Sequence, residues 1–298
     1  GAGADEAAAL AKLLGDKLYA AIDRPFTLKG NEYQCKVSIG VDLFDGWDTV
    51  EDLFKHADLA LYQAKSAGRD TLRFFDPAMQ TALEQRNAME AELRQALKLG
   101  QLRLYYQPQV GAAGRVTGVE ALLRWQHPQR GLVLPNDFIP LAEDTGLILP
   151  IGLWVLETSC ALLKSWEDDA RTRALQVAVN VSARQFRQAD FVAQVQRVVA
   201  ASGANPARLK LELTESLVLE DVEHTIEKMH AINRLGVNFS MDDFGTGYSS
   251  LSYLARLPLG QLKIDQSFVR NLPGKNNDET IARTIITMGR GLAMEVIA

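Results

Sequence analysis

The chain has 298 residues, of which 47% are hydrophobic, and a formal net charge of -5. This length suggests about two domains with buried cores, and the negative charge argues against a general DNA- or RNA-binding surface. We expect Cys35 and Cys160 to be core thiols in a reducing, cytoplasmic compartment, because both lie in apolar settings without a CxxC pattern.

The two ends of the chain suggest a piece of a longer protein. The sequence starts without Met and stops inside an apolar run at residues 294–298. No apolar run is expected to approach the roughly 20 residues of a membrane-spanning helix. We therefore expect any membrane anchor to belong to upstream segments of a parent protein.

Residues 1–75 are predicted to form a small α+β unit that opens on a helix. Alanine- and leucine-rich spacing predicts helices over residues 5–22 and 50–67. Strands are predicted over residues 26–28, 33–44 and 71–75, with a turn at Lys29-Gly30-Asn31 between the first two. Residues 76–100, rich in Ala, Leu, Glu and Gln and ending at Gly100, are predicted to be a connecting helix.

Residues 101–298 alternate short apolar runs with helical stretches. This alternation predicts parallel strands with helical crossovers, as an open doubly wound sheet or a (βα)8 TIM-like barrel. Because no GxGxxG or P-loop is present, the barrel is favoured. Strands are predicted over 104–107, 116–125, 177–181, 209–213, 237–242, 261–265 and 294–298, and helices over 151–167, 191–202, 222–235, 248–257 and 278–291.

Five of these strands each carry one polar residue on the face opposite their apolar stripe. They are Glu120, Asn180, Glu212, Asp242 and Lys263. In a barrel that face is the lumen, and late strand positions open onto the active-site end.

Three carboxylates in one lumen need a counter-charge, because isolated buried charges cost several kcal/mol each. An all-oxygen ligand set suits Mg²⁺ or Mn²⁺. The alternative is an internal salt-bridge network with Lys263 and Arg124. The adjacent acids Asp242 and Asp243, followed by Gly245 and Gly247, fit either a metal site or a helix N-cap.

These residues also carry a family resemblance. Glu120-Ala121-Leu122-Leu123-Arg124-Trp125, Asn180-Val181-Ser182, Glu212-Leu213-Thr214-Glu215-Ser216, the run from Asp242-Asp243-Phe244-Gly245 to Leu251, and Lys263-Ile264-Asp265 resemble the EAL-domain phosphodiesterases. Those proteins hydrolyse the bacterial second messenger cyclic di-GMP to linear pGpG. Residues 38–41 and 57–70 are similar to the C-terminal part of a GGDEF (diguanylate cyclase) domain, but the motif that names that domain is not in this sequence. We do not expect this chain to be a cyclase.

The resemblance implies a two-metal site. Glu120, Asn180, Glu212 and Asp242 would bind one Mg²⁺ or Mn²⁺, with Asp243 helping to hold a second. Glu120, Asp242, Asp243 and Lys263 would then be catalytic, with Lys263 orienting the attacking water or stabilising developing charge. No histidine is expected to be a ligand.

The resemblance also implies where the substrate binds. Its substrate-binding positions are Gln107, Leu123, Arg124, Pro135, Asn136, Asp137 and Phe138. Arg124 would pair with a phosphate. Phe138 would stack on a base or lie in the core. The implied partners are cyclic di-GMP and a second copy of the chain, in a homodimer through the EAL domain.

One departure concerns the end of the chain. The family continues its seventh strand into an Ala-Glu-Gly-Val-Glu segment and adds an eighth strand, whereas this sequence ends at Ala298. We expect the EAL domain to lack its last strand or strands, and the parent to be a phosphodiesterase with a regulatory or bifunctional GGDEF part. The alternative is a non-catalytic cyclic di-GMP receptor.

Overall fold

The computed structural model describes residues 2–44, 48–111, 113–245, 251–270, 272 and 277–298. It divides into two compact units, Gly1–Met89 and Glu90–Ala298. The division falls inside one helix, Pro77–Ala96.

The first unit is a small α+β assembly, as predicted. Its elements are α1 (Ala2–Ile22), β1 (Phe26–Leu28), β2 (Asn31–Tyr33), β3 (Ile39–Val41), α2 (Val50–Ser66), β4 (Leu72–Phe74) and the first part of α3 (Pro77–Ala96). β1 pairs with β2 antiparallel, and β3 pairs with β4 parallel. The predicted turn between β1 and β2 is confirmed, and Lys29 and Gly30 both have positive φ there.

The strand predicted over residues 33–44 is divided in the structure. Residues 34–38 lie between β2 and β3 without strand pairing. Cys35 is therefore exposed, and its prediction as a core thiol is wrong, whereas Cys160 is buried. Burial raises the pKa of the Cys160 thiol to about 11, which keeps it protonated and unreactive.

The second unit contains the curled sheet and its covering helices. After the end of α3 come β5 (Leu102–Val110), β6 (Val116–His127), β7 (Gly131–Val133), α4 (Pro135–Thr145), α5 (Ile148–Trp166), β8 (Gln176–Asn180), α6 (Ala183–Phe186), α7 (Phe191–Ser202), a 3-10 turn (Pro206–Arg208), β9 (Leu209–Thr214), α8 (Glu215–Glu220), α9 (Val222–Asn233), β10 (Asn238–Phe244), α10 (Leu251–Leu254), β11 (Gln261–Ile264), a second 3-10 turn (Gln266–Phe268), α11 (Asn277–Gly291) and β12 (Glu295–Ile297).

The strand order is β12-β11-β10-β9-β8-β6-β5, with β7 added on β6. Every pair from β6 through β12 along this order is parallel, as the alternation predicts. β5 and β6 are antiparallel, so the prediction of parallel strands is wrong there. The connection at residues 111–115 is too short for a parallel crossover, which needs a dozen or more residues.

Cross-sheet contacts show how strongly the sheet curls. β11 lies four strands from β6 in the sheet, and four spacings of about 4.8 Å would separate them widely if the sheet were flat. Lys263 of β11 nevertheless contacts Glu120 of β6 at 3.0 Å. The sheet is therefore wrapped as in a TIM-like barrel, with these side chains in its lumen.

Among the described helices, α5 is long and apolar enough to cross a membrane. The prediction that no run approaches this length is therefore wrong. Eight of its residues are buried in the structure, where the helix packs against β8, β9 and α7. Its apolar composition is explained by this packing.

Helix α4 is held by a ring cluster in the core. Trp125 and Phe138 are both 0% exposed, and their rings meet edge to face at 5.8 Å. The ring of His127 lies 4.9 Å from that of Trp125. Of the two alternatives for Phe138, the core position is correct, and stacking of this side chain on a base is wrong because its ring is fully covered.

Truncating Phe138 tests this packing. We expect Phe138→Ala to lower the free energy of unfolding by about 3–5 kcal/mol, because it leaves a cavity under α4. Leu132→Ala, at a side chain 44% exposed on β7, should cost about 1 kcal/mol or less. Urea denaturation of both variants measures the difference, and equal costs would contradict the core position.

Candidate active site

An acidic cluster around one ammonium group occupies the lumen of the curled sheet. Lys263 Nζ donates to Glu212 Oε2 at 2.7 Å, and to Glu120 Oε2 and Asp242 Oδ2 at 3.0 and 3.1 Å. Carboxylate oxygens of the three acids lie within 4.8 Å of one another. The strand register brings these four residues together from β6, β9, β10 and β11.

Asn180 joins the cluster at its edge. It pairs with Glu212 across β8 and β9, and its Nδ2 donates to Glu120 Oε1 at 2.7 Å. The amide oxygen can exchange places with the nitrogen by a flip of the side chain, so Asn180 can also present an oxygen to a cation.

Glu212 is the most deeply buried member. Its residue is 1% exposed, and its Oε1 is buried without a hydrogen-bond partner in the described structure. Burial raises the pKa of Glu212 to about 7, although the attraction of Lys263 opposes this shift. A buried carboxylate oxygen with no donor is a position where a cation would be favourable.

Lys263 is held in its charged form. Burial by itself lowers the pKa of Lys263, but the attraction of the three surrounding carboxylates outweighs burial and raises it well above the usual range. One ammonium among three carboxylates still leaves an excess of negative charge. The salt-bridge network predicted as an alternative therefore exists around Lys263 but does not neutralise the cluster by itself.

Arg124, the other cation predicted for that network, does not join it. Its Nη1 donates to the carbonyl oxygen of Leu123 at 2.8 Å. Within the described ranges, no carboxylate lies at ion-pair distance from it.

Asp243 extends the site within the last residues of β10, where the pairing of β10 with β11 is irregular. Its φ of 52° falls at this irregularity, and its backbone NH donates to Asp242 Oδ1 at 3.0 Å. Burial, the charge of Asp242 and interactions with Asp265 raise the pKa of Asp243. The predicted loop residues Thr246 and Gly247 and the start of the helix predicted over 248–257 lie outside the described ranges. The described part of that prediction contains α10. The alternative that Asp242 and Asp243 form a helix N-cap therefore stays a prediction.

Sequence reasoning assigned no role to two acids beside this loop. Asp265 follows Lys263 by two positions and interacts with Asp243, so the period-two pattern of β11 was the signal that could have identified it. Glu215 is 3% exposed, and its Oε2 accepts a hydrogen bond from the backbone NH of Gly245 at 3.1 Å. No pattern in the sequence pointed to that contact.

A cavity of about 570 Å³ opens beside the acidic cluster. Its lining includes Gln107, Glu120, Asp242, Asp243 and Lys263. Gln107 lies opposite Glu120 in the β5–β6 pair, so the structure brings this predicted substrate-binding residue to the cluster.

The prediction of Leu123 as a substrate contact is wrong by one position. Successive side chains of a strand point to opposite faces, so Leu122 shares the face of Glu120 and Leu123 points away. Leu122 accordingly lines the cavity with Glu120. Arg124, two residues further, returns to the same face.

The other predicted substrate positions lie in the first turn of α4. Asn136 and Asp137 are exposed, and Pro135 is half-buried. This turn is not part of the described lining of the cavity. Their role in substrate binding stays a prediction.

The histidines of the second unit are not members of the acidic cluster in the described structure. His127 is the last residue of β6 and is 4% exposed. Its Nδ1 accepts hydrogen bonds from the backbone of Gln129 and Arg130, both at 3.1 Å, and its Nε2 lies 3.2 Å from Glu92. His224 and His230 are exposed on α9.

The cluster has the donor chemistry of a divalent-cation site. Its donors are all oxygens, which suits Mg²⁺ or Mn²⁺ rather than zinc. The Glu212 oxygen that lacks a partner among the described residues and the net negative charge both favour a bound cation.

Comparison with known proteins agrees with this geometry. The EAL domain family model matches residues 90–298, and the model "Diguanylate cyclase, GGDEF domain" matches residues 2–71. The chain is 41% identical, over 97% of its length and 42% of the relative's, to the bifunctional diguanylate cyclase/cyclic di-GMP phosphodiesterase MucR of Pseudomonas aeruginosa. It is also 41% identical to the cyclic di-GMP phosphodiesterase NbdA of the same species, over 97% of the chain and 37% of NbdA.

Solved structures give the same result. The PaMucR phosphodiesterase in complex with c-di-GMP is 44% identical, with a TM-score of 0.68, over 70% of this chain and 85% of that one. The chain spans about two fifths of the length of the two curated relatives. The family match covers well over half of the chain, so this protein belongs to the EAL domain family, and its N-terminal segment matches the GGDEF domain.

Proposed function

We propose that the EAL domain of this chain hydrolyses cyclic di-GMP to linear pGpG with bound Mg²⁺ or Mn²⁺. The observation that carries the proposal is the meeting of Glu120, Glu212 and Asp242 around Lys263, from four separate strands. The similarity to MucR and NbdA, whose names give this activity, supports it. In the reaction, water bonds to phosphorus, the P–O3′ bond breaks and the 3′ oxygen takes up a proton.

We assign each residue of the acidic cluster a role from its position. We assign Glu120, Asn180, Glu212 and Asp242 to one divalent cation and Asp243 to a second. When bound, such ions supply Lewis-acid charge and activate water at neutral pH. Lys263 stays protonated because of its raised pKa, so it can hydrogen-bond the attacking water and stabilise negative charge on phosphate oxygens.

Gln107 and Leu122 lie on the cavity side of their strands and are proposed to contact the substrate. Arg124 is proposed to pair with a phosphate, because it shares this face and has no carboxylate partner in the described structure. Pro135, Asn136 and Asp137 are proposed to bind ribose or base from the edge of the site.

The wider organisation is proposed on the same basis. Residues 1–75 are a GGDEF-like part, 76–100 a connecting helix and 101–298 the EAL domain. The family match starts at residue 90 and the compact units divide after Met89, so these two observations favour an EAL boundary inside α3, ahead of residue 101. We propose a cytoplasmic protein, a homodimer through the EAL domain, and a regulatory or bifunctional role for the GGDEF part.

Turnover tests the site directly. We expect wild-type protein with Mg²⁺ or Mn²⁺ to convert cyclic di-GMP to pGpG, and Glu120→Gln to reduce kcat by about 100-fold or more, as for loss of a charge-stabilising group. Glu157→Gln, the same change at an exposed position of α5, should leave the rate unchanged. Chromatographic time courses measure pGpG.

The outcomes separate enzyme from receptor. Cyclic di-GMP binding without pGpG formation would contradict the phosphodiesterase and support the receptor. Equal rates for wild type and Glu120→Gln would refute the role of the acidic cluster.

The buried carboxyl of Glu212 also predicts a pH dependence of stability. Without metal, its folded pKa of about 7 exceeds the ordinary value of 4.5, so it favours folding at low pH, and this contribution is lost as the pH rises from about 4.5 through about 7. Relative to Glu212→Gln, wild type should lose up to about 3 kcal/mol over this window.

Urea unfolding in EDTA from pH 4.5 to 8 measures this loss. Glu157→Gln serves as the exposed control, and its profile should run parallel to that of wild type. Parallel profiles for wild type and Glu212→Gln would contradict the raised pKa.

A further inference from the structure

One face of the β5–β6 pair carries more than the residues discussed above. In this antiparallel register Gln107 lies opposite Glu120, Tyr105 opposite Leu122, and Arg103 opposite Arg124. Side chains two positions apart share a face, so Tyr105 lies on the face of the acidic cluster, towards the end of β6 that bears Arg124. Its residue is 48% exposed.

Tyr105 contacts the arginine next to the site. The guanidinium carbon of Arg124 is 5.9 Å from the centroid of the Tyr105 ring, within the range of about 6 Å for attraction between a cation and an aromatic face. The two residues are diagonal neighbours across the strands, which is a separation that long and aromatic side chains can bridge.

The remaining contacts leave Arg124 available to an anion. Its Nη1 donates to the Leu123 carbonyl oxygen at 2.8 Å, and no carboxylate of the described ranges pairs with it. A guanidinium has five N–H donors, so most of them remain for a ligand. Arg103, directly opposite, turns its Nη1 to the Leu102 carbonyl oxygen at 2.8 Å.

An unpaired arginine at the surface normally samples many rotamers, and ordering it on ligand binding costs entropy. A ring against its guanidinium reduces that cost by limiting the rotamers before the ligand arrives. The planar guanidinium is suited to such contact and also to bidentate binding of phosphate.

We propose that Tyr105 is a positioning residue, which orders Arg124 for one phosphate of a cyclic dinucleotide. The inference rests on the proposed function, because it takes the phosphodiester substrate from there. Tyr105 acts through Arg124, so its effect depends on that side chain being present.

A double-mutant cycle tests the proposal. We expect Tyr105→Leu to raise the KM for cyclic di-GMP about two- to fivefold, which is the range given by an exposed cation–aromatic contact. The Kd for cyclic di-GMP, measured calorimetrically in EDTA, should rise by the same factor. The kcat should change less than twofold. Tyr105→Phe keeps the ring and should match wild type, and Tyr106→Leu, whose side chain lies on the opposite face, should leave KM unchanged.

The decisive arm repeats Tyr105→Leu in an Arg124→Ala background, where it should have no further effect on KM or Kd. An undiminished effect there would show that Tyr105 contacts the ligand itself and would overturn the proposal, as would a wild-type Kd for Tyr105→Leu. If the protein binds cyclic di-GMP without hydrolysing it, the proposed function is refuted, but the positioning role of Tyr105 can still be tested by measuring Kd for the variants of the cycle. Absence of binding to wild-type protein refutes the positioning role too.

Discussion

Repulsion among three carboxylates in one lumen is the constraint on which the site depends. Glu120, Glu212 and Asp242 approach one another closely enough to share a single cation. Lys263 compensates part of their charge. A buried oxygen of Glu212, which has no hydrogen-bond partner in the part of the chain that the structure describes, marks where compensation is incomplete. A bound divalent cation accounts for both observations, because it supplies positive charge and accepts oxygen ligands.

The fold places these groups together through strand register. Four strands contribute one charged residue each, and the curl of the sheet brings β11 within contact of β6. The period-two pattern made the cluster predictable from sequence, since each polar residue stands against an apolar stripe in its own strand. The same rule identifies Leu122 rather than Leu123 as the cavity-facing residue.

Other features depend on contacts that no local pattern encodes. In the sequence, β5 and β6 read as two apolar runs like those of the parallel strands. Only the short connection between them indicates that they pair antiparallel. Helix α4 has Pro135 in its first turn and Pro140 in its interior, which are weak helix signals in a sequence, and the burial of Phe138 depends on its packing against Trp125. Cys35 lies in residues 34–38, which form no paired strand, so its exposure follows from the lack of pairing there.

Metal binding tests the central claim most directly. Titration of Mn²⁺ into metal-free protein at pH 8, followed by electron paramagnetic resonance, compares wild type with Glu212→Gln and the exposed Glu157→Gln. We predict that Glu212→Gln binds Mn²⁺ at least about tenfold more weakly than wild type. Residues that only hydrogen-bond to a metal ligand already cost about tenfold in affinity when they are replaced, and loss of a ligand itself should cost more. Glu157→Gln should bind Mn²⁺ as wild type does. Equal affinity in all three proteins would contradict a cation site built on the lumen carboxylates.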